Sequence, residues 1–233
     1  MTGDQAVPGV DIAAVDNFVV RLARTSELAA AADVAVAAFL ADGPLSHDQR
    51  VLADAVAAGE VDEVFVAMAG DGDIAGVACL LPSKSEHSHV AEIGERELRL
   101  LSVAPEHRGQ RIGEVLLHGC TWHAAFEGAS ELVLSAQPTR VAARKLYERL
   151  GFERLTTREW HRDGIDLLVY GLVIEPKCGH CGRLIADGGH EECVRMLAME
   201  PPRFCTVCAR RMVVQVTPAG WTARCVEHGT VGN

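Results

Sequence analysis

The chain of 233 residues has no long hydrophobic run. Its longest apolar stretch, residues 28–40, is interrupted by Asp33 and falls short of the roughly 20 residues that a bilayer-spanning helix needs. The first residues, MTGDQAVPGVD, lack the basic-then-apolar order of an export signal. We therefore expect a cytoplasmic protein with no membrane span.

Positive charge is also in short supply. The 22 Lys and Arg residues face 32 Asp and Glu residues, which gives a formal net charge of −10. The excess acid lies before residue 177, because residues 177–233 carry seven basic and five acidic side chains. Acidic charge in the larger part argues against a nucleic-acid ligand and mildly favours a cationic substrate. The same acidity would also serve solubility alone.

The eight cysteines need a different explanation from disulfide bonding. Without an export signal, the thiols are expected to stay reduced. Metal-binding or catalytic roles therefore outrank disulfides for these cysteines.

The most informative stretch is residues 97–117, which read ELRLLSVAPEHRGQRIGEVLL. Its first half alternates, which predicts a strand with Leu98 and Leu100 on one face. Pro105 ends the strand because it cannot donate a ladder hydrogen bond, and from Ile112 the apolar residues recur at helical spacing. A basic, glycine-bearing turn into a helix N-terminus offers free backbone N–H groups to an anion. The stretch therefore predicts a phosphate-binding turn.

The run RGQRIG at residues 108–113 resembles the R/Q-x-x-G-x-G/A signature of the GCN5-related N-acetyltransferases (GNAT), which holds the pyrophosphate of acetyl-CoA. The run LYERLGF at residues 146–152 resembles the next motif of that family. The resemblance spans residues 18–174 and implies an α/β (α+β) fold with a mixed, mostly antiparallel sheet flanked by helices. Arg111 stands where the family usually has glycine. If that residue needs a positive φ, the arginine costs on the order of 1 kcal/mol.

The resemblance also implies roles for single residues in acetyl transfer from acetyl-CoA to an amine. The tyrosine that protonates the CoA thiolate in the family maps onto Tyr147, and a glutamate that deprotonates the amine through water in some members maps onto Glu97. The structural alternatives are packing by Tyr147 and pairing of Glu97 with Arg96 or Arg99. Arg140 replaces a frequent asparagine and is expected to reach a cofactor phosphate. The residues assigned to acetyl-CoA are Leu101, Ser102, Val103, Arg108, Gly109, Gln110, Arg111, Ile112, Gly113 and Arg140.

Cap and turn signals agree with this fold. Ser46 and Gln49 form a capping-box pair at the start of one helix, and Thr25 or Ser26 is expected to cap an earlier one. Strands are predicted at residues 18–22, 63–69, 74–81, 97–103, 131–136, 152–160 and 165–174. The expected divisions are a flexible lead-in at residues 1–17, an acetyltransferase domain at 18–174 and a Cys/His-rich module at 175–233.

The tail contains four pairs of metal-ligand residues. Each pair has a two-residue spacer, which lets both side chains reach one metal, and zinc favours such sulfur-rich tetrahedral sets. Fewer than 60 residues bury little core, so a metal would supply stability. The module is either a zinc ribbon or an iron–sulfur site. Its four ligand pairs combine either sequentially or in an interleaved order. The pairs are Cys178 and Cys181, His190 and Cys193, Cys205 and Cys208, and Cys225 and His228.

The run PPRFCTVCARRMVVQVTPAGWTARCVEHG at residues 201–229 resembles the actinobacterial biotin synthase auxiliary proteins. Those proteins support a radical, iron–sulfur-dependent enzyme, so the resemblance implies biotin synthase as a partner. Two hypotheses follow. The chain is an acetyl-CoA-dependent N-acetyltransferase of a small-molecule or protein amine, or it is an auxiliary factor whose acetyltransferase fold serves as a sensor or scaffold.

Overall fold

The structure, a computed structural model, describes residues 12–15, 18–162, 164–218 and 220–232. The helices are α1 (Leu28–Leu40), α2 (His47–Ala58), α3 (Ile112–Phe126), α4 (Val141–Arg149) and α5 (Glu191–Leu197). The first strands are β1 (Ile12–Val15), β2 (Phe18–Leu22), β3 (Val64–Met68), β4 (Ile74–Pro82), β5 (Glu95–Val103) and β6 (Glu131–Ala136). The later strands are β7 (Glu153–Arg154), β8 (Trp160–Arg162), β9 (Ile165–Val173), β10 (Val213–Thr217), β11 (Gly220–Cys225) and β12 (Gly229–Gly232). Among the described residues, every helix is too short or too polar to cross a bilayer.

The central sheet has nine strands in the order β1-β2-β3-β4-β5-β6-β9-β7, with β8 paired to β9. All of these pairs are antiparallel except β5 with β6. The parallel pair is possible because α3 supplies the crossover connection between the two strands. The predicted mixed, mostly antiparallel α/β fold is thus confirmed.

Each face of the sheet buries its own hydrophobic cluster. Phe65 in β3 belongs to the cluster on the α3 side, whereas its neighbours Val64 and Val66 belong to the cluster formed with α1 and α2. This alternation is what a strand buried on both faces requires. Helix α3 packs closely on β4, since a Cβ at Gly76 would lie 3.0 Å from the side chains of Ile112 and Leu116.

Strand β5 breaks its alternation at Leu100, where the prediction was wrong. Leu100 has a φ of +55°, and the register with β4 changes between the Cys79 pair and the Val77 pair. Such a bulge adds a residue and reverses the faces beyond it. Leu98 therefore packs in the α3-side cluster, while Leu100 packs in the α1 and α2 cluster.

Three other expectations need correction or completion. Residues 1–11, 16 and 17 of the expected lead-in lie outside the described residues, but β1 within it pairs with β2. Neither Thr25 nor Ser26 caps α1, because residues 25–27 form a 3-10 turn and Glu27 accepts a hydrogen bond from the backbone of Arg24. The strand predicted at residues 152–160 is divided into β7 and the start of β8, with a 3-10 turn between them.

The tail adds a small sheet of β10, β11 and β12. The tail packs against the larger part of the chain. Its residues Cys205, Met212, Ala223 and Cys225 lie in the same buried cluster as the α3 side of the central sheet. The backbone N–H of Lys177 donates to the carbonyl of Thr206 at 2.8 Å, which ties the start of the tail to its second half.

Candidate functional site

A cavity lies where β5 and β6 part. The two strands pair only as far as Leu98 and Leu134, whereas β5 continues to Val103 and β6 to Ala136. The last residues of β5 therefore keep one backbone edge without a neighbouring strand. The cavity measures about 220 Å³ and is bounded by this edge, α1, α2, α4, β8 and β9.

The N-terminus of α3 has the backbone geometry expected of an anion-binding turn. Arg111 is the N-cap with a φ of +61°, so the position does need the left-handed conformation. Gly109 also has a left-handed backbone conformation, with a φ of +79°. In the described chain, the N–H groups of Gly109, Gln110, Ile112 and Gly113 have no backbone acceptor. These groups and the positive end of the helix dipole are the features that bind phosphates.

The side chain of Arg111 turns toward Glu114, with an Nη2–Oε1 distance of 2.6 Å. Arg149 also donates to Glu114 at 2.6 Å. Arg111 thus contributes backbone geometry to the turn, and its charge is already paired with a carboxylate.

Arg108 and Arg140 meet on Asp42 in the loop after α1. Their Nη1 atoms lie 2.8 and 2.5 Å from the two oxygens of that carboxylate. Arg108 also donates to the carbonyl of Ala38 at 2.9 Å, and the Arg140 guanidinium lies 5.8 Å from the ring centre of Phe39. Residues that are 98 positions apart, Asp42 and Arg140, thereby form one wall of the cavity.

Tyr147 lines the cavity from α4 and is only 7% exposed. Its ring contacts the rings of Phe152 and Tyr170, with centroids 5.9 Å away in both cases. Burial, together with the neighbouring Tyr170, raises the pKa of Tyr147 to about 12. The phenol therefore stays protonated across the physiological pH range and is able to act as an acid.

Glu97 is fully buried and does not line the cavity. Its Oε2 accepts hydrogen bonds from the Ser88 hydroxyl and from the backbone N–H groups of His89 and Val90, at 2.9, 2.6 and 2.9 Å. Its Oε1 lies 3.8 Å from Arg99 and has no hydrogen-bond partner among the described residues. This geometry fixes the loop before β5, and the pairing alternative with Arg99 is present.

The opposite end of the cavity contains residues that sequence reasoning missed. Asp48 of α2 binds His89 at 2.8 Å, Arg162 at 3.0 Å, and Arg99. Trp160 of β8 completes this end, and its Nε1 donates to Ser135 at 3.2 Å. These residues come from four separate parts of the chain and share no motif, so no local pattern marks them.

The tail brings its eight predicted ligands together as two sequential sets. In each set, the ligand atoms lie within 4.8 Å of one another. The first set contains Cys178, Cys181, His190 and Cys193, and the second contains Cys205, Cys208, Cys225 and His228.

The spacing of these atoms suits one tetrahedral ion. Zinc bonds of about 2.3 Å to sulfur and about 2.0 Å to nitrogen imply separations of roughly 3.8 Å between two sulfurs and roughly 3.5 Å between sulfur and nitrogen. The Cys208 and Cys225 sulfurs are 3.7 Å apart, and Cys181 Sγ lies 3.6 Å from His190 Nδ1. His190 Nε2 lies 2.9 Å from the carbonyl of Leu184, a contact that leaves Nδ1 to face the set.

The two CxxC turns have the same backbone design. The N–H of Cys178 donates to the carbonyl of Arg183 at 2.7 Å, and that of Cys205 to the carbonyl of Arg210 at 2.9 Å. The residue after the second cysteine is left-handed in both turns. It is Gly182 with a φ of +76° in the first turn and Ala209 with a φ of +57° in the second.

Both parts of the chain resemble known proteins. Residues 60–154 match the family model of the acetyltransferase (GNAT) domain, and residues 212–232 match that of the biotin synthase auxiliary protein family. The biotin synthase auxiliary protein of Mycobacterium leprae (strain TN) is 63% identical over 38 residues, which cover 16% of this chain and 48% of that protein. The streptothricin acetyltransferase of Streptomyces lavendulae is 35% identical over 88 residues, which cover 38% of this chain and 43% of that protein.

A GNAT acetyltransferase from Brucella melitensis, solved in complex with acetyl-CoA, has a TM-score of 0.50 at 22% identity. The match covers 70% of this chain and 91% of that one, and it shows that the fold is shared. The chain spans about half the length of the curated relatives it matches.

Substitution of the left-handed residue should change the stability of the protein in opposite directions at the two CxxC turns. Ala209→Gly is expected to stabilise the metal-loaded protein by about 0.5 kcal/mol, because relief of the strained Cβ outweighs the added freedom of the unfolded chain. Gly182→Ala should destabilise it by about 2 kcal/mol or more, because the new Cβ is strained and would lie 3.0 Å from the Phe204 ring. Thermal unfolding with saturating zinc measures both changes.

Gly128→Ala is the control for these two variants. Gly128 has a φ of +80° and no atom within 4 Å of its added Cβ, so it reports the conformational cost alone. A Gly182→Ala variant that is no less stable than Gly128→Ala would contradict the prediction.

Proposed function

We propose that this chain is an acetyl-CoA-dependent N-acetyltransferase that transfers an acetyl group directly to an amine. Residues 18–174 are the catalytic domain, and residues 175–233 form a metal-binding module. The observation that carries the proposal is the convergence of the open edge of β5 and a buried tyrosine at one cavity, with the turn before α3 tied to the cavity wall by the Arg108–Asp42 pair.

Acetyl-CoA is held by three groups in this proposal. The N–H groups at the start of α3 bind the pyrophosphate, and Arg108 and Arg140 pair with phosphate oxygens. The pantetheine arm pairs with the free edge at residues 101–103, as an added strand would. Asp42 now accepts from both arginines, so the cofactor phosphates take its place when they bind.

Tyr147 supplies the proton in the chemical step. The amine nitrogen attacks the thioester carbonyl carbon, a C–N bond forms, and the C–S bond breaks with its electron pair on sulfur. The phenol of Tyr147 then gives its proton to the CoA thiolate, and the proton lost by the amine passes to solvent. The raised pKa keeps the phenol neutral when the thiolate departs but also makes it a weaker acid, so the transfer requires the phenol to lie close to the sulfur.

The general-base role of Glu97 stays a prediction that this geometry does not favour. A base that works through water needs an oxygen facing the amine, and the Oε2 of Glu97 already accepts three hydrogen bonds. Glu97 is better assigned as a positioning residue that fixes residues 88–90 beside the end of the cavity that contains Asp48 and Arg162.

Each ligand set of the tail holds one zinc ion in our proposal. A cluster of several irons would spread its cysteines over separate metal atoms, whereas each set here is compact enough for one ion. Bound zinc would hold together a module whose own core is small.

Replacement of Tyr147 by phenylalanine tests the chemical step. Tyr147→Phe should lower kcat by about 100-fold while the affinity for acetyl-CoA is retained, because only the proton donor is lost. In the wild type, Tyr147 should cause no fall in rate below about pH 10, because its pKa of about 12 keeps the donor protonated. Steady-state kinetics and calorimetric titration with acetyl-CoA give the two readouts.

Tyr170→Phe is the matched control, since Tyr170 is a buried neighbour that bonds Arg144 and does not line the cavity. It should keep its turnover. Unchanged turnover in Tyr147→Phe would remove this residue from the mechanism.

Metal analysis of anaerobically purified protein tests the tail. We expect about two zinc per chain and no acid-labile sulfide. Cys181→Ser and Cys208→Ser should each lose about one zinc, because each removes a ligand from a different set. Cys120→Ser, at a buried thiol outside both sets, should lose none. Brown protein with iron and sulfide would contradict the zinc assignment.

A second function is an auxiliary role toward biotin synthase. The match of residues 212–232 and of the mycobacterial proteins favours it, and it does not exclude catalysis. Full-length protein should then raise biotin synthase turnover, and Tyr147→Phe should still do so. Within the matched segment, Val213 and Val216 of β10 are 71% and 72% exposed. Their joint replacement by serine should reduce the effect, because it removes an exposed apolar side chain from each face of this strand.

Val173→Ser is the control, because Val173 is 73% exposed but lies outside the matched segment. A full-length protein that leaves biotin synthase turnover unchanged would refute the auxiliary role.

A further inference from the structure

We propose that the acetyl acceptor carries a carboxylate beside its amine, as an α-amino acid does, and that Arg162 binds this carboxylate. The inference rests on the proposed acetyltransferase function and names the substrate class of the same cavity. Arg162 lines the cavity at the end opposite the arginines that we assign to the cofactor phosphates.

Arg162 keeps a free binding edge. Its Nη1 lies 3.0 Å from Asp48 and 3.0 Å from His89, but its Nε and Nη2 have no acceptor among the described residues. Its side chain is 37% exposed, so an incoming ligand can reach it. An arginine fork with two unused donors is the group that recognises a carboxylate with two parallel hydrogen bonds.

Arg99 offers no such edge, although it lines the same end. It donates to the carbonyl of His87 and to Asp48, and its Nε faces Glu97 at 3.8 Å. Arg99 is therefore part of the wall, and Arg162 is the arginine available to a substrate.

The carboxylates at this end are already paired with arginines, since Glu97 lies 3.8 Å from Arg99 and Asp48 accepts from both Arg99 and Arg162. The guanidinium groups of Arg99 and Arg162 share one carboxylate that lines the cavity, that of Asp48. Burial tends to raise the pKa of Asp48, but its hydrogen bond with His89 and the charges of both arginines lower it well below the usual range. Asp48 is thus ionised, and its one negative charge is already shared by two arginines and His89, so it attracts a purely cationic amine only weakly.

Trp160 holds Arg162 in place. The Arg162 guanidinium lies 5.9 Å from the Trp160 ring centre, and the ring is fixed by its hydrogen bond to Ser135. A stacked guanidinium loses little freedom when it binds a ligand, which favours specific recognition.

The test compares amino acids with amines that lack only the carboxylate. The probes are phenylalanine with phenethylamine, and lysine with cadaverine. The wild type should acetylate the amino acid of a pair at least about tenfold more efficiently in kcat/KM, because the decarboxylated amine leaves the fork unpaired. Arg162→Gln should remove this preference mainly through a higher KM for the amino acid, and Arg162→Lys should restore part of it.

Arg154→Gln is the control, because Arg154 is exposed, pairs with Glu159 and does not line the cavity. It should keep the preference. Calorimetric binding of each amine in the presence of CoA gives a second readout that does not require turnover.

A wild type that binds or acetylates the decarboxylated amines as well as the amino acids would overturn the inference, as would a preference that survives Arg162→Gln. A protein that fails to bind acetyl-CoA would instead count against the proposed function, and the amine-binding titration would still decide the role of Arg162.

Discussion

The parting of β5 from β6 is the constraint on which the rest of the site depends. It follows from a strained backbone, because a leucine at a φ of +55° costs about 1–2 kcal/mol relative to an ordinary strand conformation. Burial of Leu100 among the residues of α1 and α2 compensates for that cost. Beyond this bulge, β5 has a free edge. The gap beside it becomes a cavity where two further residue pairs between β5 and β6 would otherwise form.

Helix α3 connects this cavity to the tail. Its first turn has the geometry of an anion-binding site, and its buried face packs on β4, where the absence of a Cβ at Gly76 permits close approach. Farther along the helix, the His118 ring lies 5.9 Å from the ring of His228, a residue of the second ligand set. A second cavity of about 410 Å³ lies between α3, β9 and that set. The Cys/His-rich module is therefore packed on the same helix that begins after the glycine-bearing turn at residues 108–113.

Ion pairs hold the arginines of the cavity before any ligand binds. Asp42 forms ion pairs with Arg108 and Arg140 on one side, and Asp48 forms ion pairs with Arg99 and Arg162 on the other. Such pairs keep long side chains ordered, which lowers the entropy lost on binding an anion. The net charge of the chain is −10, yet four arginines converge on this region. The net charge of the whole chain therefore differs from the charge in this region, because only the tertiary structure brings these arginines together.

Local patterns determined much of the fold and the cofactor end of the site. The Ser46 and Gln49 caps, the turn at residues 108–113 and the CxxC pairs depend on neighbours a few residues away, so the sequence alone specifies them. Tertiary structure decided the bulge at Leu100, the burial of Glu97 and the sequential grouping of the metal ligands. It also joined Asp48 to Arg162, 114 positions apart. Contacts over such separations depend on how helices and sheet pack together, and no local spacing in the sequence encodes them.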